Sequence, residues 1–151
     1  MAGKPTYFPE KIIRKMAFRD EVEDYACSEY SNIDWELIGS IQTKIHTIRE
    51  DAGNRWKAGN DIHMVINNRT KNRLQFAPVM KCVSVQKIEI HNHDGKGVSL
   101  YSFVKIDGRQ LGWPEIDKLA TNDGFDSVED FFSWFNKDFK GKIIHWTDFK
   151  Y

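Results

Sequence analysis

The nineteen residues LQFAPVMKCVSVQKIEIHN, positions 74–92, constrain this chain more than any other segment. Val83 and Val85, then Ile88 and Ile90, recur at every second position, which is the period of a half-buried strand and not of a helix. Pro78 has no backbone N–H and interrupts the run. HDGKG supplies a turn, and VSLYSFVKIDG resumes the strand pattern. KIHTIR and DIHMVIN precede the run, and GKIIHWTDFKY closes the chain in the same style. Strands are therefore expected over 45–49, 61–67, 74–91, 98–106 and 142–149, joined in one sheet or barrel.

Helical spacing brackets these strands. YFPEKIIRKMAF sets Phe8, Ile12, Ile13 and Met16 on one stripe, with Pro9 suited to a first turn. Residues 20–30 and IDWELIGSIQ read as two more helices. Further on, Pro114 marks a helix start in WPEIDKLA. In DSVEDFFSWF, Asp126 stands three residues before Glu129 as a capping box, directing Phe131, Phe132 and Phe135 to the core. Trp35, Trp113, Trp134 and Trp146 sit in apolar patterns and read as core. The order suits an α+β domain over 1–151 whose mainly antiparallel sheet pairs the last strand with an early one.

Composition narrows the class. Twenty-two basic residues balance twenty-two acidic ones, so no overall field recruits nucleic acid, and an anion site must be local. An aromatic content of 13% excludes a disordered chain. Cys27 and Cys82 read as separate reduced thiols, as in a cytoplasmic protein. No apolar run has the length of a membrane span, and MAGKPTYFPEK lacks a signal-peptide core. A cytoplasmic monomer without membrane contact is the expectation.

The stretch TKIHTIREDAGNRWKAGN, 43–60, gathers polar groups that invite a chemical reading. On a strand, Thr47 and Arg49 share one face while His46 and Ile48 share the other. Lys44 joins Thr47 only if the chain turns into the strand near Lys44, which a helix ending just before it would allow. A lysine whose pKa is lowered by burial and a nearby cation can take the proton of a threonine hydroxyl and make it a nucleophile. Arg49 supplies that charge or binds an oxygen. The same residues also make an ordinary edge strand, with a solvated lysine, a β-forming threonine and a salt-bridged arginine.

TKIHTIRED…RWKAGN resembles the signature of ASCH domains, relatives of PUA domains, and LATNDGFDSVEDFFSWF…GKIIHWTDF resembles their acidic loop, short helix and closing strand. The resemblance implies a PUA-like small mixed or antiparallel β-barrel, with residues 1–40 as a helical extension packed on it. Some compact ASCH proteins hydrolyse N4-acetylcytidine and others are thought to bind RNA, so the implied partner is a nucleoside or RNA, and no cofactor is implied. Lys44 and Thr47 match the first two residues of the hydrolase set. Asp123 stands where the hydrolase has glutamate, one methylene shorter. The implied roles are base for Lys44, nucleophile for Thr47, and positioning of Lys44 or protonation of the leaving amine for Asp123. Arg49, Glu50, Trp56 and Lys57 fall on the substrate side. Neither Lys44 nor Thr47 is expected to carry core packing.

Two further clusters have bland readings beside the functional ones. In NNRTKNR, residues 67–73, Arg69, Lys71 and Arg73 can meet phosphates or simply be solvated. Trp56 can stack on a base or pack as core. His91 and His93 form a possible chelating pair, but no Cys-x-x-Cys or His-Glu-x-x-His accompanies them, and no metal is expected.

Overall fold

A computed structural model describes residues 6–16, 35–92, 98–99 and 101–151. It is mixed α+β. The main sheet is antiparallel, with strand order β1-β9-β6-β7-β8: β1 is His46–Arg49, β6 Ser84–His91, β7 Phe103–Ile106, β8 Arg109–Gln110 and β9 Phe139–His145. Two separate ribbons pair β2 (Asp61–Ile62) with β5 (Met80–Lys81), and β3 (Val65–Ile66) with β4 (Leu74–Gln75). The helices are α1 (Phe8–Met16), α2 (Trp35–Ser40), α3 (Trp113–Asn122) and α4 (Val128–Trp134).

The final strand does pair with an early one. β9 lies between β1 and β6, with His46 opposite His145 and Ser84 opposite the same histidine. The long β-rich run is not one strand, however. Pro78 breaks its ladder, so 74–75, 80–81 and 84–91 separate into three strands in three sheets. The strand expected over 61–67 is likewise two short pieces, the one expected over 98–106 is paired only from Phe103, and β9 starts and stops earlier than 142–149. No closed barrel forms among the described residues. The helix expected over 20–30 lies outside them.

Both faces of the main sheet are covered. On one, Ile48, Ile88, Ile90, Val104, Ile106 and Ile143 pack against α3, α4 and the fully buried rings of Phe125, Phe131 and Phe132. Each such ring contributes about 1.5–3 kcal/mol by leaving water. The other face carries Ile144 and Val85 against Ile12, Ile13 and Met16 of α1, Ile38 of α2, and residues of the two ribbons. The stripe read for α1 is thus its buried face, although Phe8 packs with the first cluster.

Two local readings shift. Helix α4 is capped by Ser127, whose hydroxyl accepts the Asp130 N–H at 3.1 Å, while Asp126 instead pairs with Lys11 at 2.6 Å. Trp146 is core, but Trp113 and Trp134 are 47% and 57% exposed: the phenylalanines of α4 fill the space on its inner side. The side chain of Trp35 lies outside the described residues.

β1 is an edge strand with its outer side occupied. The Ile45 N–H donates to Asn122 O at 2.9 Å and the Ile48 N–H to Asp123 Oδ1 at 3.2 Å. The Lys44 N–H donates to Lys11 O of α1 at 3.0 Å.

Candidate functional site

The end of α3 builds the first half of the site. Asp123 is the residue at which the helix stops, and Gly124 follows in the left-handed region at φ +91°. A side chain there would be strained, and its Cβ would also stand 3.2 Å from Lys44 Cδ and from the Phe8 ring. The tight reversal drops the Asp123 carboxylate between α3 and β1. Lys44 Nζ donates to Asp123 Oδ1 at 2.8 Å and to the Asp123 carbonyl, and Phe8 lies over it at 4.5 Å. Lys11 Nζ donates to the Gly124 carbonyl at 2.7 Å. Two lysines therefore close the carbonyl end of α3, where cations are favoured.

This pair is interior: the Lys44 and Asp123 side chains are 4% and 6% exposed. Burial pulls the Lys44 pKa below its ordinary value, outweighing the Asp123 charge that raises it. Burial alone would push the Asp123 carboxyl up, but the Lys44 charge and His46 outweigh it and hold it below the usual range. His46 Nδ1 approaches Asp123 Oδ1 at 3.3 Å without hydrogen-bond alignment, so that contact is an electrostatic one. The other nitrogen, His46 Nε2, lies 2.8 Å from the Tyr151 hydroxyl, which also accepts from Asn122 Nδ2 at 2.9 Å.

Thr47 is not part of this set. Lys44, His46 and Ile48 fall on one side of the pleat, all buried, while half-buried Thr47 and exposed Arg49 fall on the other. No hydrogen bond joins Lys44 to Thr47. The chain does not turn at Lys44 as the dyad requires. Lys44 lies ahead of the strand, and its ammonium is drawn to Asp123, on the side where the Ile48 amide also meets that carboxylate. Lys44 also proves to be a packing residue, wedged among Phe8, Asp123 and Gly124, contrary to expectation.

The second half of the predicted site lies at the opposite end of β1. Arg49 and Glu50 are exposed there, roughly 17–20 Å along the chain from Lys44 at about 3.3 Å per residue. Beyond them Asp51 organises a turn: it accepts the Arg55 N–H at 2.8 Å and the Trp56 N–H at 3.0 Å, and pairs with Lys142 at 2.9 Å. Partial desolvation raises the Asp51 carboxyl, but Lys142 and the two amides outweigh it and the net shift is downward. Lys142 Nζ also donates to Asn54 Oδ1 and, at 2.9 Å, to the Trp56 carbonyl. The turn presents the Arg55 guanidinium 5.3 Å from the half-buried Trp56 ring, with Lys57 exposed beside it.

Arg69, Lys71 and Arg73 are exposed in the loop joining β3 to β4. His91 pairs with Asp138 at 3.2 Å and stacks on Phe103 at 4.3 Å, so it is engaged in the protein's own packing; His93 lies outside the described residues. Among the described residues no group of His, Cys, Asp or Glu is arranged to hold a metal, and no helix is long and apolar enough to cross a membrane. Cys82 is a buried free thiol.

Sequence reasoning missed Asp51, Lys142, Asn122, His145 and Tyr151. Asp51 alone carried a signal, since an aspartate ahead of Gly53 and Asn54 is turn chemistry. Comparison with protein-family models, curated proteins and solved structures returns no match.

Proposed function

We propose that this is an ASCH-like domain that recognises RNA or a nucleoside without transforming it, using the rim formed by Arg49, Arg55, Trp56 and Lys57. The observation that carries this reading is the Asp51–Lys142 clamp. It fixes the turn before any ligand arrives, and sets the cations of Arg55 and Lys57 beside the half-buried Trp56 ring, one part of which packs on the second core cluster. Kinship with PUA-like domains would have the two ribbons complete a barrel with the main sheet, and the protein would act as a cytoplasmic monomer. Titration with single-stranded RNA at several salt concentrations tests the reading. Affinity should fall as salt rises, and Trp56→Ala should weaken it about tenfold or more. Binding that ignores both salt and Trp56 would sink it. Neutralising Arg69, Lys71 and Arg73 together should flatten the salt slope if the ribbon loop shares the contact.

A second reading, hydrolysis of an acyl amide such as N4-acetylcytidine, is favoured by one observation: the motif lysine and Asp123, distant in sequence, meet at 2.8 Å in a water-poor interior that lowers the lysine pKa. Against it stands Thr47 on the far side of the strand. Release of acetate from N4-acetylcytidine, abolished by Thr47→Ala, would establish it; no release would remove it.

A further inference from the structure

One end of the main sheet carries a row of polar side chains into the interior. Ser84 lies opposite His145, and His145 opposite His46, across β6, β9 and β1. All three are buried, yet the Ser84 hydroxyl, both His145 ring nitrogens and His46 Nδ1 have no hydrogen-bond partner among the described residues. Buried polar atoms are nearly always paired, so such a row calls for a physical reason.

The phenol of Tyr151 is inserted beside it. Its ring stands edge-on to His46 at 5.6 Å and lies 6.4 Å from His145. Its hydroxyl meets His46 Nε2 and Asn122 Nδ2. Gln86 grips the backbone of the same residue from both sides: Oε1 accepts the Tyr151 N–H at 2.9 Å, and Nε2 donates to the Tyr151 carbonyl at 3.1 Å. Tyr151 is half-buried where His46, Asp123 and His145 are buried, and its ring and hydroxyl lie against the two histidines. Nothing in the sheet ladder fixes it, because β9 ends at His145.

We propose that Tyr151 acts as an internal ligand, filling a slot suited to a planar ring that bears a hydroxyl or carbonyl oxygen. When the Tyr151 side chain withdraws, with Trp146 left in the core, the slot presents Asn122 Nδ2 as a donor and His46 Nε2 as a second polar contact, with the His145 ring beside them. These suit a monocyclic ring with oxygen and nitrogen along one edge. Naming a pyrimidine base as that ring rests on the nucleoside reading above; the slot itself does not.

The test uses Tyr151→Ala in the full chain, with 4-methylphenol, toluene and cytidine as probes. 4-Methylphenol should bind the variant about tenfold more tightly than toluene, because only it restores the hydroxyl contacts. It should raise the thermal midpoint of the variant and leave that of the parent unchanged. Adding Asn122→Ala should shrink the preference over toluene, leaving the part that His46 Nε2 supplies. Equal binding of the two probes, or no binding, overturns the slot, as does cytidine binding without 4-methylphenol binding. Binding of 4-methylphenol but not cytidine upholds the slot and removes only the pyrimidine base as its occupant, the Trp56 rim being tested by the RNA titration. Should Tyr151→Ala not fold, Tyr151→Phe keeps the ring but drops both hydrogen bonds. It should then bind 4-methylphenol about tenfold more tightly than the parent, and no gain overturns the proposal.

Discussion

The two ends of β1 each hold a lysine–aspartate pair, at 2.8 Å for Lys44–Asp123 and 2.9 Å for Lys142–Asp51, and the pairs do different jobs. At the Lys142 end, the oxygens of Asp51 accept two amides and an ammonium, and the pair shapes a turn that faces solvent. At the Lys44 end, charge is sealed inside, beside polar atoms that have no partner. The same pairing chemistry thus yields a pinned surface in one place and a tension in the other. A buried pair is weak evidence of net stability, but breaking it leaves a charge stranded.

The largest test of that contrast is Lys44→Ala, which strands Asp123 and uncaps α3. It should cost about 3–5 kcal/mol in chemical denaturation. Lys142→Ala, whose equally buried partner keeps two amide donors where Asp123 keeps only that of Ile48, should cost clearly less. Equal losses would break the comparison. Just past the Lys142 end lies Gly141, where an added Cβ would stand 2.3 Å from the Arg49 carbonyl and 2.7 Å from the Phe139 ring. Gly141→Ala should therefore cost about 1–3 kcal/mol by prising β1 from β9. A similar cost is expected for Asp123→Glu, since the extra methylene enters a filled space. Restored reach toward the hydrolase pattern would come only at the expense of packing.

Acid sharpens the comparison from the buried side. Burial first, then the charges of His46 and Lys150, lower the His145 pKa from 6.5 to about 4, with Asp107 opposing. Between those values the unfolded chain takes up a proton that the folded one refuses, so stability falls as pH drops from 6.5 to 4 and this contribution levels off below. The loss should be on the order of 2 kcal/mol, and His145→Leu should reduce it, leaving the part due to His46, whose pKa burial also lowers. Asp123, also depressed, adds its own loss only below its ordinary value of 3.8. A stability curve without slope between 4 and 6.5 would show that His145 is not held neutral.

Periodicity revealed the parts of the molecule it governs. The α1 stripe, the buried phenylalanines of α4 and the alternation of β6 follow from spacing alone, because each element buries one face. Alternation also placed His46 and Ile48 together and set Lys44 apart from Thr47 unless the chain turned near Lys44, and no hydrogen bond joins the two. What spacing could not reveal was tertiary: which helix end would need a cation, that Ser127 rather than Asp126 would cap α4, and that Tyr151 would reach back to His46. These depend on how elements meet, and residues 44, 123 and 151 share no local pattern.

The groups that line the outer side of β1 have a consequence for how copies of the chain meet. An unpaired strand edge is a template on which another chain can add a strand, the first step toward aggregation. Here Asn122 and Asp123 already hold the Ile45 and Ile48 amides. The far edge, β8, is two residues long and both are exposed, with Arg109 paired to Glu115 at 2.9 Å. The main sheet therefore offers a newcomer a short charged edge on one side and an occupied one on the other, and the aspartate that anchors the buried pair also guards the chain against its own neighbours.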